Sequence, residues 1–124
     1  MFYMFNQNES GVFKYSHPLK VPYMKDLCSR FGKIHELDYV LLFGSTLTEY
    51  CDEYSDIDLY LILNCVPTHC LTKQIRKSCR IKKQSIDMLF NTMQGFMEEA
   101  ADISSVEYKI AREGVVLYAK SNAV

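Results

Sequence analysis

The chain has 124 residues, 48% of them hydrophobic and 23% charged, with 14 basic and 15 acidic side chains and a net charge of -1. That length allows one domain around one core. The charge balance argues against binding nucleic acid directly through bulk positive charge, and no apolar run approaches the roughly 20 residues that span a bilayer.

The segment 1–19 alternates aromatic and polar residues, and "NQNESG" reads as a turn between "MFYMF" and "VFKY". It is expected to be an N-terminal arm or short hairpin ahead of a single domain over 20–124. Pro22 stands where a helix can start, and Met24, Leu27, Cys28 and Phe31 follow at helical spacing. The spacing predicts an amphipathic helix over 22–31, with Gly32 at its cap. "YVLLF", 39–43, reads as a strand ended by Gly44-Ser45, with a short helix over 46–50 opening at Ser45.

"DIDLYLIL", 56–63, reads as a second strand, apolar on both faces beyond its acids and so expected at the centre of a sheet. A helix over 69–79 follows, then "QSIDMLF", 84–90, as a third strand that again carries an acid, Asp87. Helices over 92–101 and 105–113 and a closing strand "VVLYA", 115–119, complete the order α-β-α-β-α-β-α-α-β. This is an α/β (α+β) pattern: a small mixed β-sheet with helices packed against it.

Five cysteines, Cys28, Cys51, Cys65, Cys70 and Cys79, contain no C-x-x-C pair, and the three histidines have no zinc-type spacing with them. An odd number of cysteines, and no basic leader ahead of an apolar stretch, point to a reducing cytoplasm. The segment 73–83, "KQIRKSCRIKK", carries six basic residues in eleven. It reads first as a solvated helix face plus a loop, and an anionic ligand beside it is a middle case.

The acids before "LYLIL" carry the chemistry. Side chains at i and i+2 of a strand share a face, so Asp56 and Asp58 point the same way. Like charges that close repel, and one takes a proton unless a cation sits between them. Magnesium suits the position: it is hard, prefers oxygen and is held by one or two carboxylates plus substrate phosphates. If the strand of Asp87 is a neighbour, three carboxylates converge on one sheet edge, as a two-metal phosphoryl or nucleotidyl transfer requires. Gly44 permits a sharp turn and a close ligand approach. Ser45, at a helix start, offers N–H groups and a hydroxyl to phosphate. Taken singly, the D-x-D reads as a turn cap and Asp87 as an edge-strand charge; their joint order on these strands favours a metal-nucleotide site.

Gly44-Ser45, then ten residues, then Asp56-x-Asp58 and a later strand Asp87 resembles the nucleotidyltransferase superfamily of the DNA polymerase β type, over roughly 22–119. The length and the closing "IAREGVVLYA" resemble its minimal members, often antitoxins of small all-helical HEPN toxins. The resemblance implies a nucleotidyltransferase-like fold. It implies that Asp56 and Asp58 hold the catalytic Mg2+ ions, and that Asp87 binds the second ion and helps activate the attacking hydroxyl. Gly44 and Ser45 would hold the triphosphate of ATP. The implied reaction moves AMP from ATP onto a tyrosine of a partner HEPN toxin, with in-line attack at the α-phosphate and loss of pyrophosphate.

One departure stands out. Many members carry a basic residue just after Gly-Ser, whereas "TLTEYCDE", 46–53, has none and carries Glu49, Asp52 and Glu53. A catalytically weak antitoxin that neutralises its toxin by binding alone therefore remains an alternative. A small-molecule nucleotidyltransferase ranks below it, because the chain has no second helical domain to build an acceptor site. Tyr39, Tyr50, Tyr54 and Tyr60 crowd the motif region, where packing is the expected use and base stacking the second. The acceptor, the nucleotide preference and a homo-oligomeric state are left open by the residues.

Overall fold

The computed structural model describes residues 17–120; the part of the expected arm or hairpin at 1–16 lies outside the described residues. After a 3₁₀ turn at Pro18–Lys20 come α1 (Val21–Phe31), β1 (Leu37–Phe43), a second 3₁₀ turn at Gly44–Leu47, and β2 (Ile57–Leu63). Next are α2 (His69–Ser78), β3 (Ile86–Thr92), α3 (Met93–Ala100), α4 (Val106–Glu113) and β4 (Val115–Ala119).

The four strands form one mixed sheet in the order β3-β2-β1-β4. β1 runs antiparallel to both β2 and β4. β2 and β3 are parallel, because α2 carries the chain over between them. β2 is therefore the inner strand expected from its apolar run, with Ile57 and Leu59 to Leu63 all buried. Each such side chain contributes about 1.5–3 kcal/mol on leaving water.

Alternation across the sheet builds two cores. Val40, Leu42, Leu59, Leu61 and Met88 face α1 and α2, where Met24, Leu27, Phe31 and Ile75 meet them. Leu41, Tyr60, Ile62 and Val116 face α3 and α4, meeting Phe96 and Ile110. The Tyr60 and Phe96 rings pack edge to face with centroids 5.1 Å apart. Tyr60 also donates from its hydroxyl to Glu107 Oε2 of α4 at 2.8 Å, tying that helix to the sheet. Burial pushes the Tyr60 phenol well up, and the Glu107 charge adds to the shift, so the hydroxyl stays a donor.

The helices begin where the sequence offers a cap. The side chains of Thr68, Thr92 and Ser105 accept from the amides of Leu71, Gly95 and Tyr108. Thr92 and Ser105 thus stand outside the helices expected to include them. β1 starts two residues earlier than its apolar run, because Leu37 pairs with Leu63. β3 starts at Ile86 rather than 84 and runs on to Thr92, which pairs with Leu63. Among the described residues, no helix is long and apolar enough to cross a membrane.

Candidate active site at the start of the parallel pair

The sheet places the singled-out residues at one end. Asp58 is the second residue of β2 and stands opposite Phe43, the last residue of β1. On its other side it stands opposite Asp87 of β3. The parallel register therefore sets Asp58 and Asp87 side by side on the face that carries Tyr60, two residues beyond Asp58. Asp56 is exposed just ahead of β2, at the strand's entrance. Asp87 is exposed and Asp58 half-buried.

The electrostatics follow from that geometry. Burial pushes the Asp58 carboxyl up, and the charges of Asp87 and then Asp56 push it further. Among the described residues none of the three carboxylates has an ion-pair partner; Asp26 of α1 pairs with Arg30 instead. The three acids thus form an edge of hard oxygen donors without a direct ion pair among the described residues, the donor set that magnesium takes. They do not close into a preformed cage: among the described residues no three His, Cys, Asp or Glu side chains gather in the geometry of a metal site. A magnesium site needs no such cage, since it is completed by phosphate oxygens and water.

Gly44 sits directly over Asp58. Its φ is +81°, in the left-handed region, and a Cβ built there would run into Asp58 Oδ2 and lie 3.1 Å from its Cγ. Both the turn and the carboxylate beneath it call for glycine. Ser45 follows in the 3₁₀ turn. The helix expected over 46–50 does not form: the turn closes at Leu47, and both the amide and the hydroxyl of Thr48 donate to Ser45 O at 2.9 Å. Four residues give only a weak dipole, so what Ser45 offers an anion is its own donors rather than a helix field.

Among the described residues, two clefts lie at this edge. One, of about 600 Å³, is lined by Gly44, Ser45, Tyr50, Val106, Lys109 and the acid Glu113, among others. It brings a cation that the local sequence lacks: Lys109 of α4 faces the same space as Gly44 and Ser45, although 64 residues separate Lys109 from Ser45. An exposed lysine on a polar helix face carries no sequence signal for such a role, so only the fold reveals it. The second cleft, of about 440 Å³, holds Asp56 and Asp87 together with Arg76, Arg80 and Gln84. The basic segment 73–83 thus reaches the acids through two arginines. Arg76 is already engaged, stacking on Phe90 at 5.0 Å and donating to Met88 O at 3.2 Å. Tyr50 and Tyr54 are 82% and 85% exposed, so neither serves core packing, whereas Tyr60 does.

Known proteins agree with this architecture at the level of fold. No family model matches the chain, and no curated protein does. Among solved structures, the chain is similar to one from the complex of a tri-AMPylated Shewanella oneidensis HEPN toxin with MNT antitoxin. The identity is 14%, the match covers 80% of this chain and 71% of that one, and the TM-score is 0.50. A mutant of the toxin-antitoxin MntA-HpeT follows at 16% identity, 92% and 75% coverage and a TM-score of 0.47. A toxin-antitoxin with AMP-PNP gives 16%, 83% and 73%, and 0.45. The first of these shows a shared fold, and the nucleotidyltransferase-like fold expected from the sequence is the fold of this chain.

Proposed function

We propose that the chain is a magnesium-dependent nucleotidyltransferase that moves AMP from ATP onto a hydroxyl, and that the acceptor is a tyrosine of a partner HEPN-type toxin. The observation that carries this reading is the side-by-side placement of Asp58 and Asp87 on parallel strands, with Asp58 directly beneath Gly44. A binding surface has no physical need to crowd unpaired carboxylates where they repel. The HEPN toxin in the similar solved complex is itself AMPylated, which supports the choice of acceptor class.

Each residue has a distinct part. Asp56 and Asp58 would hold magnesium, with Asp87 on a second ion; bound there, the metal supplies positive charge against the phosphates and the charge that develops in transfer. Gly44, having no Cβ, leaves the phosphates room to approach, and Ser45 donates to them. Lys109 faces the same cleft and offsets the triphosphate's charge. Asp87 Oδ takes the proton of the acceptor hydroxyl. The hydroxyl oxygen bonds to the α-phosphorus as the bond to the bridging oxygen breaks, and pyrophosphate leaves on the Ser45 side.

A second reading keeps the antitoxin role without the chemistry: the chain silences its toxin by binding alone. The exposed acids Glu49, Asp52 and Glu53 favour it, because they stand between Ser45 and Asp56 where a triphosphate would prefer a base. One experiment separates the two. The protein is incubated with labelled ATP, magnesium and a purified HEPN toxin, and the toxin's mass is measured. A gain of one AMP, absent with Asp56→Ala plus Asp58→Ala, establishes transfer; a tight complex with no mass gain establishes binding alone.

A further inference from the structure

Lys20 is buried, with 1% of its surface exposed. Lysines rarely go so deep, because an ammonium out of water is costly unless it is well met. Among the described residues no carboxylate pairs with it. It is met by neutral groups instead: Nζ donates to Gln84 Oε1 at 2.7 Å, to Ser55 O at 2.8 Å and to Glu53 O at 3.4 Å.

Those partners are not arbitrary. Ser55 directly precedes Asp56. Gln84 Nε2 donates to the same Ser55 O at 3.1 Å and to Ser85 O at 2.8 Å. Ser85 O also accepts from the amide of Ile57, the residue between Asp56 and Asp58, at 3.0 Å. The chain of bonds Lys20–Ser55–Gln84–Ser85–Ile57 therefore stitches the entrance of β2 to the approach to β3. A tight turn presents Gln84 to it: Ile81 bridges Gln84, with Lys83 at a φ of 66°. The same N-terminal turn reaches the other half of the site, where the amide of His17 donates to Thr46 O at 2.8 Å.

We propose that Lys20 is a positioning residue: its buried ammonium, working through Gln84, fixes the spacing between the Asp56–Asp58 pair and Asp87. The inference rests on the metal-nucleotide reading of those acids. A methionine of similar length would fill the same space without the cost of burying a charge. What it would lose is the hold on three acceptors that set where the two strands begin. Lys20 touches neither metal nor nucleotide in this arrangement; it acts through the backbone on either side of the acids. Outer-shell partners of this kind commonly tune metal affinity by 10–100-fold.

The test uses the full chain with Lys20→Met and, separately, Gln84→Met. In metal-free hydrogen exchange, the amide of Ile57 is expected to exchange about tenfold faster in both variants, while the β1 and β4 amides keep their protection. In a manganese titration, the apparent dissociation constant is expected to rise about tenfold in both, with KM for ATP at saturating metal unchanged in Lys20→Met. An unchanged Ile57 amide, or a loss of protection spread evenly over the sheet, overturns the positioning role. So does an unchanged manganese affinity in a wild-type background that binds manganese. If the wild-type chain neither binds manganese nor transfers AMP, the nucleotidyltransferase reading falls, and the Ile57 amide still decides whether Lys20 braces the strands. If Lys20→Met does not fold, Gln84→Met carries both measurements, because it breaks the same junction and leaves Lys20 on Ser55.

Discussion

Gly44 and Asp58 share one space: the carboxylate of Asp58 occupies the position that a side chain at Gly44 would need. The two residues are 14 apart in sequence, and the antiparallel pairing of Phe43 with Asp58 brings them together. Gly44→Ala must therefore strain the left-handed turn and displace the acid at once. The backbone alone costs about 1–2 kcal/mol, which urea unfolding will read. Transfer is expected to fall by about a hundredfold, since small misplacements of a reacting group have that effect.

Asp58 should make the fold's stability depend on pH. Its carboxyl is pushed up from the ordinary 3.8 by burial and by Asp87 and Asp56. The folded state therefore binds this proton more tightly than the unfolded chain does. The stabilisation is complete below pH 3.8 and is lost as pH rises through the raised folded value. At neutral pH the ionised group works against folding. Asp58→Asn is expected to raise the melting temperature at pH 7 and to flatten the decline above pH 4. Magnesium is expected to raise the melting temperature of the wild type and not of this variant. A variant that melts lower at pH 7 than the wild type would refute the repulsion.

Lys109→Glu tests where the missing positive charge comes from. Lys109 is exposed, so global stability should change little. KM for ATP is expected to rise about tenfold, equivalent to ~1.4 kcal/mol, with kcat for the bound complex nearly intact. A steady KM would remove Lys109 from the nucleotide site.

Tyr60→Phe tests the hydroxyl that links β2 to α4. It keeps the ring contact with Phe96 and deletes the hydroxyl's interactions with Glu107 and Asn91. A cost of about 1 kcal/mol is expected, as for a typical intramolecular hydrogen bond, and the part carried by Glu107 should disappear in the Glu107→Gln background. Equilibrium unfolding of the four proteins gives the cycle.

Much of the fold was legible because it is local. The apolar run after Asp58 marks a buried strand, and the spacing of Met24, Leu27 and Phe31 marks α1, whereas Thr92 and Ser105 cap the helices expected to include them. The adjacency of Asp58 and Asp87 was not legible, because strand order is a long-range outcome; it entered only as a condition. The short helix after Ser45 failed because four residues make a 3₁₀ turn and no more. Lys20 and Lys109 escaped for opposite reasons. A buried lysine looks like any other in the sequence until its acceptors are known. An exposed one looks like a solvated helix face until a distant turn is folded against it.

The order β3-β2-β1-β4 puts Asp58 and Asp87 in unequal surroundings. Gly44 leaves the end of an interior strand, and Asp58 stands on another, so both are held by neighbouring strands on both flanks. Asp87 belongs to the margin, and among the described residues β3 has no strand beyond it. A sheet margin can be lengthened, covered or recontoured without repacking the layers beneath. The arrangement therefore separates what must stay constant from what can be exchanged. On the proposed reading, the nucleotide end would be locked into the middle of the sheet, while the acid facing the acceptor would sit on a border that can change on its own.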